Sequence, residues 1–429
     1  MRDVFRRVVA GFAVDRRVLA LSFARMADGV GNSFLIIVIP LYVASDIVGG
    51  ATFGLGEAMV IGIILSIFGF VNSSFQPLTG RASDRAGKRK AFILFGLGGL
   101  AITNLAYVFA ESYVALLAIR GFQGVSVAFI VPASVALVNE LATTGDRGGN
   151  MGVYNTFRLV GFGAGPIVAG AVVNAGPYTV PGVATITGFD AAFYVAAITA
   201  AISYLLVTIL ISDPGSTQAN AGADLSIDVF DRSGRNLFDP IFTLGIVSLF
   251  MATAIALFAT IQPQVNARLD QGSTWFGLQF AAFILAQVVL QTPIGRACDV
   301  YGRRPFVLWG TVLLIPTTLV QGFIWTSEAM FLARLLQGIA GAMVFAPALA
   351  LAGDLAGEGE SGSKLSVLTM AFGFGIAIGP FSSGALIGFG FPVPFIFGTA
   401  LAALGAVMVY TQVEETLDTT TPVPIVGDD

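Results

Sequence analysis

The sequence predicts an all-α integral membrane protein, with twelve transmembrane helices in two pseudo-symmetric six-helix bundles. Three observations carry this. The 429 residues are 55% hydrophobic and only 11% charged, against about 25% charged in a soluble domain. Apolar stretches of about twenty residues, the length that spans a bilayer, recur along the chain. The chain also repeats itself half-way. GRASDRAGKR at Gly80–Arg89 returns as GRACDVYGRR at Gly295–Arg304. Arg120-x-x-Gln123-Gly124 returns as Arg334-x-x-Gln337-Gly338. Gly161-x-x-x-Gly165-Pro166-x-x-x-Gly170 returns as Gly375-x-x-x-Gly379-Pro380-x-x-x-Gly384. A half-length repeat in an apolar chain marks a transporter whose two related bundles enclose a substrate path.

The first span, 18–44, follows a basic start. It lacks a small-residue cleavage site and contains Arg25 and Asp28, so it reads as a retained helix and not as a signal peptide. Apolar runs at 53–78, 91–110, 112–139, 151–175 and 188–211 complete the first six. The polar stretch 212–240, opened by Pro214-Gly215-Ser216 and closed by Pro240, reads as a linker between the halves. Runs at 241–262, 275–294, 305–325, 328–352, 365–389 and 391–412 give the second six. The acidic tail from Glu414 onward reads as disordered. The expected organisation is a bundle at 1–211, a cytoplasmic linker at 212–240, a bundle at 241–412 and a cytoplasmic tail at 413–429. Phe53-Gly54-Leu55 matches Phe276-Gly277-Leu278, and Pro40 matches Pro263, with more residues before Gly80 than before Gly295. That surplus is expected to lengthen the second helix or its outer end.

Arg and Lys mark the cytoplasmic side of a membrane protein. With the N-terminus inside, the inner segments hold Arg2, Arg6, Arg7, Arg16, Arg17, Arg81, Arg85, Lys88, Arg89, Lys90, Arg147, Arg232, Arg235, Arg296, Arg303, Arg304 and Lys364. The outer loops hold Arg268 alone. Both termini are therefore expected in the cytoplasm, with the protein in the plasma membrane. A single cysteine, Cys298, excludes a disulfide framework and a Cys-based metal site, and the absence of histidine excludes His ligands and His acid–base chemistry. No cofactor, metal or nucleic acid is expected, and no nucleophile motif suggests an enzyme. There is no G-x-x-x-x-G-K-S/T loop for ATP-driven pumping.

Gly80, Asp84, Arg85, Gly87, Lys88 and Arg89 fill the pattern G-x-x-x-D-R/K-x-G-R/K-R/K. Gly295, Asp299, Gly302, Arg303 and Arg304 fill it again, with Val300 departing from the basic position. This resembles the signature between helices 2 and 3 of the major facilitator superfamily, and spans, loops and repeat extend the resemblance over essentially the whole chain. A carboxylate at a cytoplasmic helix end can bond a neighbouring helix N-terminus or an arginine. The resemblance implies a latch in which Asp84 and Arg85 hold the halves shut on the cytoplasmic side while the path opens outward. Arg89, Lys90 and Arg304 read more simply as topology determinants.

Gly152, Gly161, Gly165, Pro166 and Gly170 resemble the fifth-helix signature of the drug:proton antiporter branch, with Ala169 where glycine is usual. That resemblance implies antiport and a gate shaped by the Pro166 bend. Small residues at i and i+4 also let helices approach closely, and the same pattern in the eleventh span supports that plainer reading. Pro40-Leu41-Tyr42 resembles the first-helix pattern of the same branch.

Charge inside a membrane is costly and marks function. Asp28 lies in the first span with Arg25 one turn earlier on the same face. Either the two neutralise each other, or Asp28 faces the central cavity and takes a proton or a cationic substrate in turn. The resemblance implies that Arg120, in its R-x-x-Q-G setting, serves proton coupling, and an Asp28–Arg120 contact would tie proton binding to rocking of the bundles. Arg334, its repeat-related partner, reads as structural, and Arg158 as either. The sequence thus predicts a monomeric, proton-coupled exporter of lipophilic small molecules, cations included. A proton-coupled importer of a sugar, nucleoside or organic acid is the alternative on the same fold, and a membrane-embedded enzyme or sensor is a distant third.

Overall fold

A computed structural model describes residues 16–45, 47–141, 147–180, 184–213, 229–231, 236–355 and 361–416. Arg2, Arg6, Arg7, Arg232 and Arg235, most of the expected linker, and the tail from 417 lie outside the described residues. So does the side chain of Lys364. Among the described residues, twelve helices are long and apolar enough to cross a membrane. They are α1 (Arg16–Val43), α2 (Glu57–Ala86), α3 (Arg89–Ala106), α4 (Tyr113–Leu141), α5 (Arg147–Ala175) and α6 (Gly188–Leu210), then α7 (Pro240–Thr260), α8 (Ser273–Tyr301), α9 (Arg303–Leu319), α10 (Ser327–Leu355), α11 (Ser361–Leu386) and α12 (Val393–Gln412).

The ends of these helices have local causes. Asp239 caps α7, its carboxylate accepting from the Ile241 and Phe242 amides at 2.9 and 3.1 Å, with Pro240 supplying the first helical residue. Thr187 and Asp190 form a capping box on α6. α2 ends at Gly87, whose φ of 59° lets its amide turn back onto the Ser83 and Asp84 carbonyls. Gly302 stands at the corresponding turn with φ of 94°. Both helices outrun the spans expected from hydropathy, so Gly80–Ala86 is helical and only the end of the motif is loop. Polar residues in a last turn cost a helix little where its end reaches water. The surplus before Gly80 does not lengthen α2, which has 30 residues against 29 in α8. It lies in the loop 44–56, pinned where Gly49 pairs with Glu111 and Tyr113. A short hairpin, β1 (Tyr178–Val180) with β2 (Ala184–Ile186), precedes α6, and a short helix, Gln262–Leu269, follows α7.

The packing is written twice. In the first bundle α1 packs on α5 and α6, α4 on α2 and α3, and α3 on α6. In the second, α7 packs on α11 and α12, α10 on α8 and α9, and α9 on α12. The prolines follow suit, with Pro77 and Pro293, Pro132 and Pro347, and Pro166 and Pro380 in corresponding helices. Between the bundles, α2 meets α11 and α5 meets α8, again a symmetric pair. α1 and α7 lie at the centre and are the most buried of the twelve.

Candidate functional site

The interface between the bundles is built from residues without bulk. On one side Gly62 approaches the Pro380 carbonyl, with 2.6 Å from a notional Cβ to that oxygen, and Gly384 packs on Ala58 and Met59. On the other, Gly277 packs against the Pro166 carbonyl, and Gly170 on the Ser273 and Thr274 backbone. Asn174 seals that end, its side chain bonding Ser273 Oγ at 2.7 Å and Thr274 Oγ1 at 2.8 Å. These contacts lie in the half of the molecule away from the Gly80 and Gly295 motifs. Gly69 on Ala377 and Gly373 on Ser73 carry these contacts to mid-helix, and beyond them, among the described residues, the glycine contacts across the interface stop. Gly80 faces only Pro132 of its own bundle, and nothing lies within 4 Å of a Cβ placed on Gly295. Among the described residues, the close glycine contacts between the bundles thus run from one end to mid-helix and are missing at the motif end.

The fifth-helix glycines divide by partner. Gly161 and Gly165 pack against the Met26 and Val30 carbonyls of α1 in the same bundle, Gly170 crosses to α8, and Gly152 faces open space. In the second bundle Gly375 and Gly379 approach the Leu249 and Thr253 carbonyls of α7 in the same way, and Gly384 crosses to α2. Both readings of the glycines start from this geometry, because a stripe that seats one central helix also reaches the opposite bundle.

At the motif end, each bundle carries a carboxylate–arginine–carboxylate chain. Arg89 is buried and sits 2.5 Å from Asp84 Oδ1. Its Nε and Nη2 donate to Glu140 Oε1 at 3.0 and 2.9 Å, and its Nη1 to Ser83 Oγ at 3.0 Å. α2, α3 and α4 are tied together at one point. In the second bundle Arg303 pairs with Asp299 at 3.4 Å and with Asp354, and donates to the Ala350 carbonyl. Arg89 thus ties three helices together at the motif end. Arg85 and Lys88 are exposed, Lys90 donates to the Thr208 carbonyl, and Arg304 to that of Tyr410. Glu140 and Asp354 escaped the reading of the sequence. Their signal was there, since they recur at the spacing of the Arg120 and Arg334 pair.

Inside the first bundle, Arg25 pairs with Asp28 on α1. Asp28 is 2% exposed, and its Oδ1, like Arg25 Nε, has no protein partner. The pair lines a cavity of about 10 Å³ between α1, α3, α4 and α6, walled by Leu21, Ile93, Leu97 and Ser134. That is room for about one water. Asp28 thus points into its own bundle, where it is paired with Arg25.

Arg120 lies elsewhere. Its Nη1 donates to Gln123 Oε1 at 3.0 Å, which also accepts from the Tyr107 hydroxyl at 2.8 Å, and Gln123 Nε2 passes the chain on to Asn104. No hydrogen bond or ion pair joins Asp28 to Arg120, so the structure does not bring these two residues together. Arg334 repeats the arrangement, donating to Gln337, which donates in turn to Thr318 Oγ1 at 3.1 Å.

The sequence profile of the Major Facilitator Superfamily matches residues 21–259 and 242–424. Multidrug resistance protein 2 of Bacillus subtilis is 25% identical over 178 residues, 41% of this chain and 44% of that protein. Tetracycline resistance protein, class H, of Pasteurella multocida is 28% identical over 160 residues, 37% of this chain and 40% of that one. The matched part spans less than half the length of these curated relatives. Among solved structures, a bacterial homologue of the human lysosomal transporter Spinster superposes with a TM-score of 0.76 over 92% of this chain and 95% of its own, at 12% identity. At that identity the likeness is one of fold.

Proposed function

This chain belongs to the Major Facilitator Superfamily, and we propose that it is a proton-coupled exporter of lipophilic small molecules working by alternating access. The observation that carries the reading is the doubled interface. Two symmetric helix pairs, α2 with α11 and α5 with α8, pack closely from one end to mid-helix and lack such glycine contacts at the motif end. Rocking about such glycine-lined contacts would exchange open and closed ends without unpacking either bundle. The basic motif end is taken as cytoplasmic by the distribution of Arg and Lys, which makes this conformation inward-facing. Asp84 and Arg85 then stand apart from the second bundle and would engage it when the cytoplasmic end closes. Relatives named for multidrug and tetracycline resistance support export, as does the fifth-helix glycine pattern.

Asp28 is the proposed proton site. A proton on its carboxylate would remove the charge that holds Arg25 and loosen α1 against its bundle. Arg120, set in its own polar chain on α4, would act separately as a fixed positive charge. The test is efflux of a fluorescent lipophilic dye from energised cells expressing the protein, with and without a proton uncoupler. Uncoupler-sensitive efflux above the empty-vector rate is expected. Efflux that ignores the uncoupler would sink proton coupling, and dye uptake in its place would reverse the direction.

A further inference from the structure

Charge inside the two bundles does not balance. Away from the helix ends, Arg25, Arg120, Arg158 and Arg334 stand against Asp28 alone. The Asp28 carboxylate is already engaged by Arg25. Among the described residues no ion pair involves Arg120, Arg158 or Arg334. Lone charges of this kind are expensive within a membrane and are retained where a ligand or an ion uses them.

Arg334 is the most telling. It is 0% exposed. Nη1 donates to Gln337, while Nε and Nη2 have no partner. Those two nitrogens form one edge of the guanidinium, the fork that a carboxylate takes with both oxygens at once. Around it stand the rings of Phe258, Phe283 and Phe280, with centroids at 4.5, 4.9 and 5.8 Å. The rings offset part of the cost of the charge, but they accept no hydrogen bond of ordinary strength from that edge. Phe280 in turn meets Phe162 of the opposite bundle at 6.1 Å. One turn along α5 from Phe162 is Arg158, half-buried, whose Nε has only Asn155 Oδ1 at 3.4 Å. The aromatic contact between the bundles thus has the Arg334 guanidinium beside Phe280, and Arg158 one turn from Phe162 on α5.

We propose that the transported molecule is an amphiphilic organic anion, its lipophilic body against Phe162 and Phe280 and its carboxylate or sulfonate drawn by the guanidinium groups of Arg158 and Arg334, which have no carboxylate partner among the described residues. The proposal rests on the reading of the protein as a transporter of lipophilic small molecules and fixes the charge of the cargo. An organic cation would meet a site of net positive charge.

The test is equilibrium binding to the full-length protein in nanodiscs, with no gradient present. Three probes share a dansyl body: dansyl-leucine, its methyl ester, and the dansyl alkylamine dansylcadaverine. The acid is expected to bind roughly tenfold or more tightly than the ester or the amine. Arg334→Gln is expected to lose that preference without a fall in thermal unfolding temperature, because it removes an unpaired buried charge; a merely structural arginine would lower the temperature and leave the preference intact. Arg334→Lys should recover part of the preference. Binding of the ester or amine as tightly as the acid, no binding of the acid, or unchanged acid binding by Arg334→Gln would overturn the proposal. If Arg334→Gln does not fold, the three probes on the wild type still decide. Failure is separable from failure of export: anion binding without uncoupler-sensitive efflux leaves this inference standing, and cation-selective binding with efflux leaves export standing.

Discussion

Asp28 and Arg25 are coupled by burial as much as by charge. Each leaves one polar atom without a protein partner beside a cavity the size of a water, so neither can be altered alone without consequence. Removing one member of a buried ion pair typically costs about 3–5 kcal/mol, while replacing both is often nearly neutral. Asp28→Asn keeps the shape and one acceptor, so a folded protein is expected with a stability loss towards the lower end of that range. Because the amide cannot exchange a proton, ΔpH-driven accumulation in proteoliposomes should vanish while downhill exchange of substrate persists. Adding Arg25→Gln to Asp28→Asn should return most of the stability and none of the proton coupling. Undiminished proton-driven flux in Asp28→Asn would remove Asp28 from the mechanism. At this scale the sequence was half legible. Hydropathy flagged Asp28, Arg120 and Arg334, since a charge in an apolar run stands out. It did not show that Asp28 turns into its own bundle while Arg120 joins Tyr107, Gln123 and Asn104, because the direction of a side chain on a helix depends on how the helix is rotated against its neighbours. Glu140 and Asp354 were missed because a carboxylate at a helix end reads as solvated until a buried arginine is placed beside it.

At the scale of helices, glycine spacing carries more information than hydropathy. α5 and α11 each turn one stripe of small residues towards a central helix and continue it onto the opposite bundle. The pattern was readable because a period of four places residues on one helix face, but the division between partners within the stripe required the structure. A side chain placed on Gly161 or Gly375 would collide with the backbone of α1 or α7, which cannot yield as a flexible side chain can. Gly161→Val is therefore expected to destabilise by about 1–3 kcal/mol, the usual cost of overpacking, and to lower the unfolding temperature in detergent. Gly152→Val meets open space and should stay within about 0.5 kcal/mol of wild type. Similar behaviour of the two variants would remove the distinction between packed and open glycines on α5. The helix ends were the least legible elements. Gly80–Ala86 extends α2 past its apolar run, and Gly87, with φ of 59°, ends it.

For the whole molecule, the repeat in the sequence becomes a repeat in contacts, and that has a mechanical consequence. Each bundle keeps its own packing, joining α1 to α5 and α6 or α7 to α11 and α12, while the bundles touch mainly along two symmetric helix pairs, with slighter contacts around α1 and α7. A protein built this way changes shape most cheaply at the seam, since moving there breaks few side-chain interlocks. At the end away from the motifs the seam is held by Asn174, which accepts from the Ser273 hydroxyl and donates to Thr274 Oγ1, and the proposed alternating access requires these bonds to part in every cycle. Cys298 is the one cysteine of the chain, so replacing it with alanine gives a background in which new thiols can be placed singly. In that background Asn174→Cys with Ser273→Cys, bridged by a short bifunctional thiosulfonate, should stop transport almost completely. Each single-cysteine variant treated alike should keep most of its activity, and a reductant should restore the bridged protein. Binding of a substrate probe should survive the bridge, because the motif end, where the path opens in this conformation, is left untouched. Full transport by the bridged protein would mean that the two bundles do not separate at Asn174 and Ser273, and the rocking cycle would have to be abandoned.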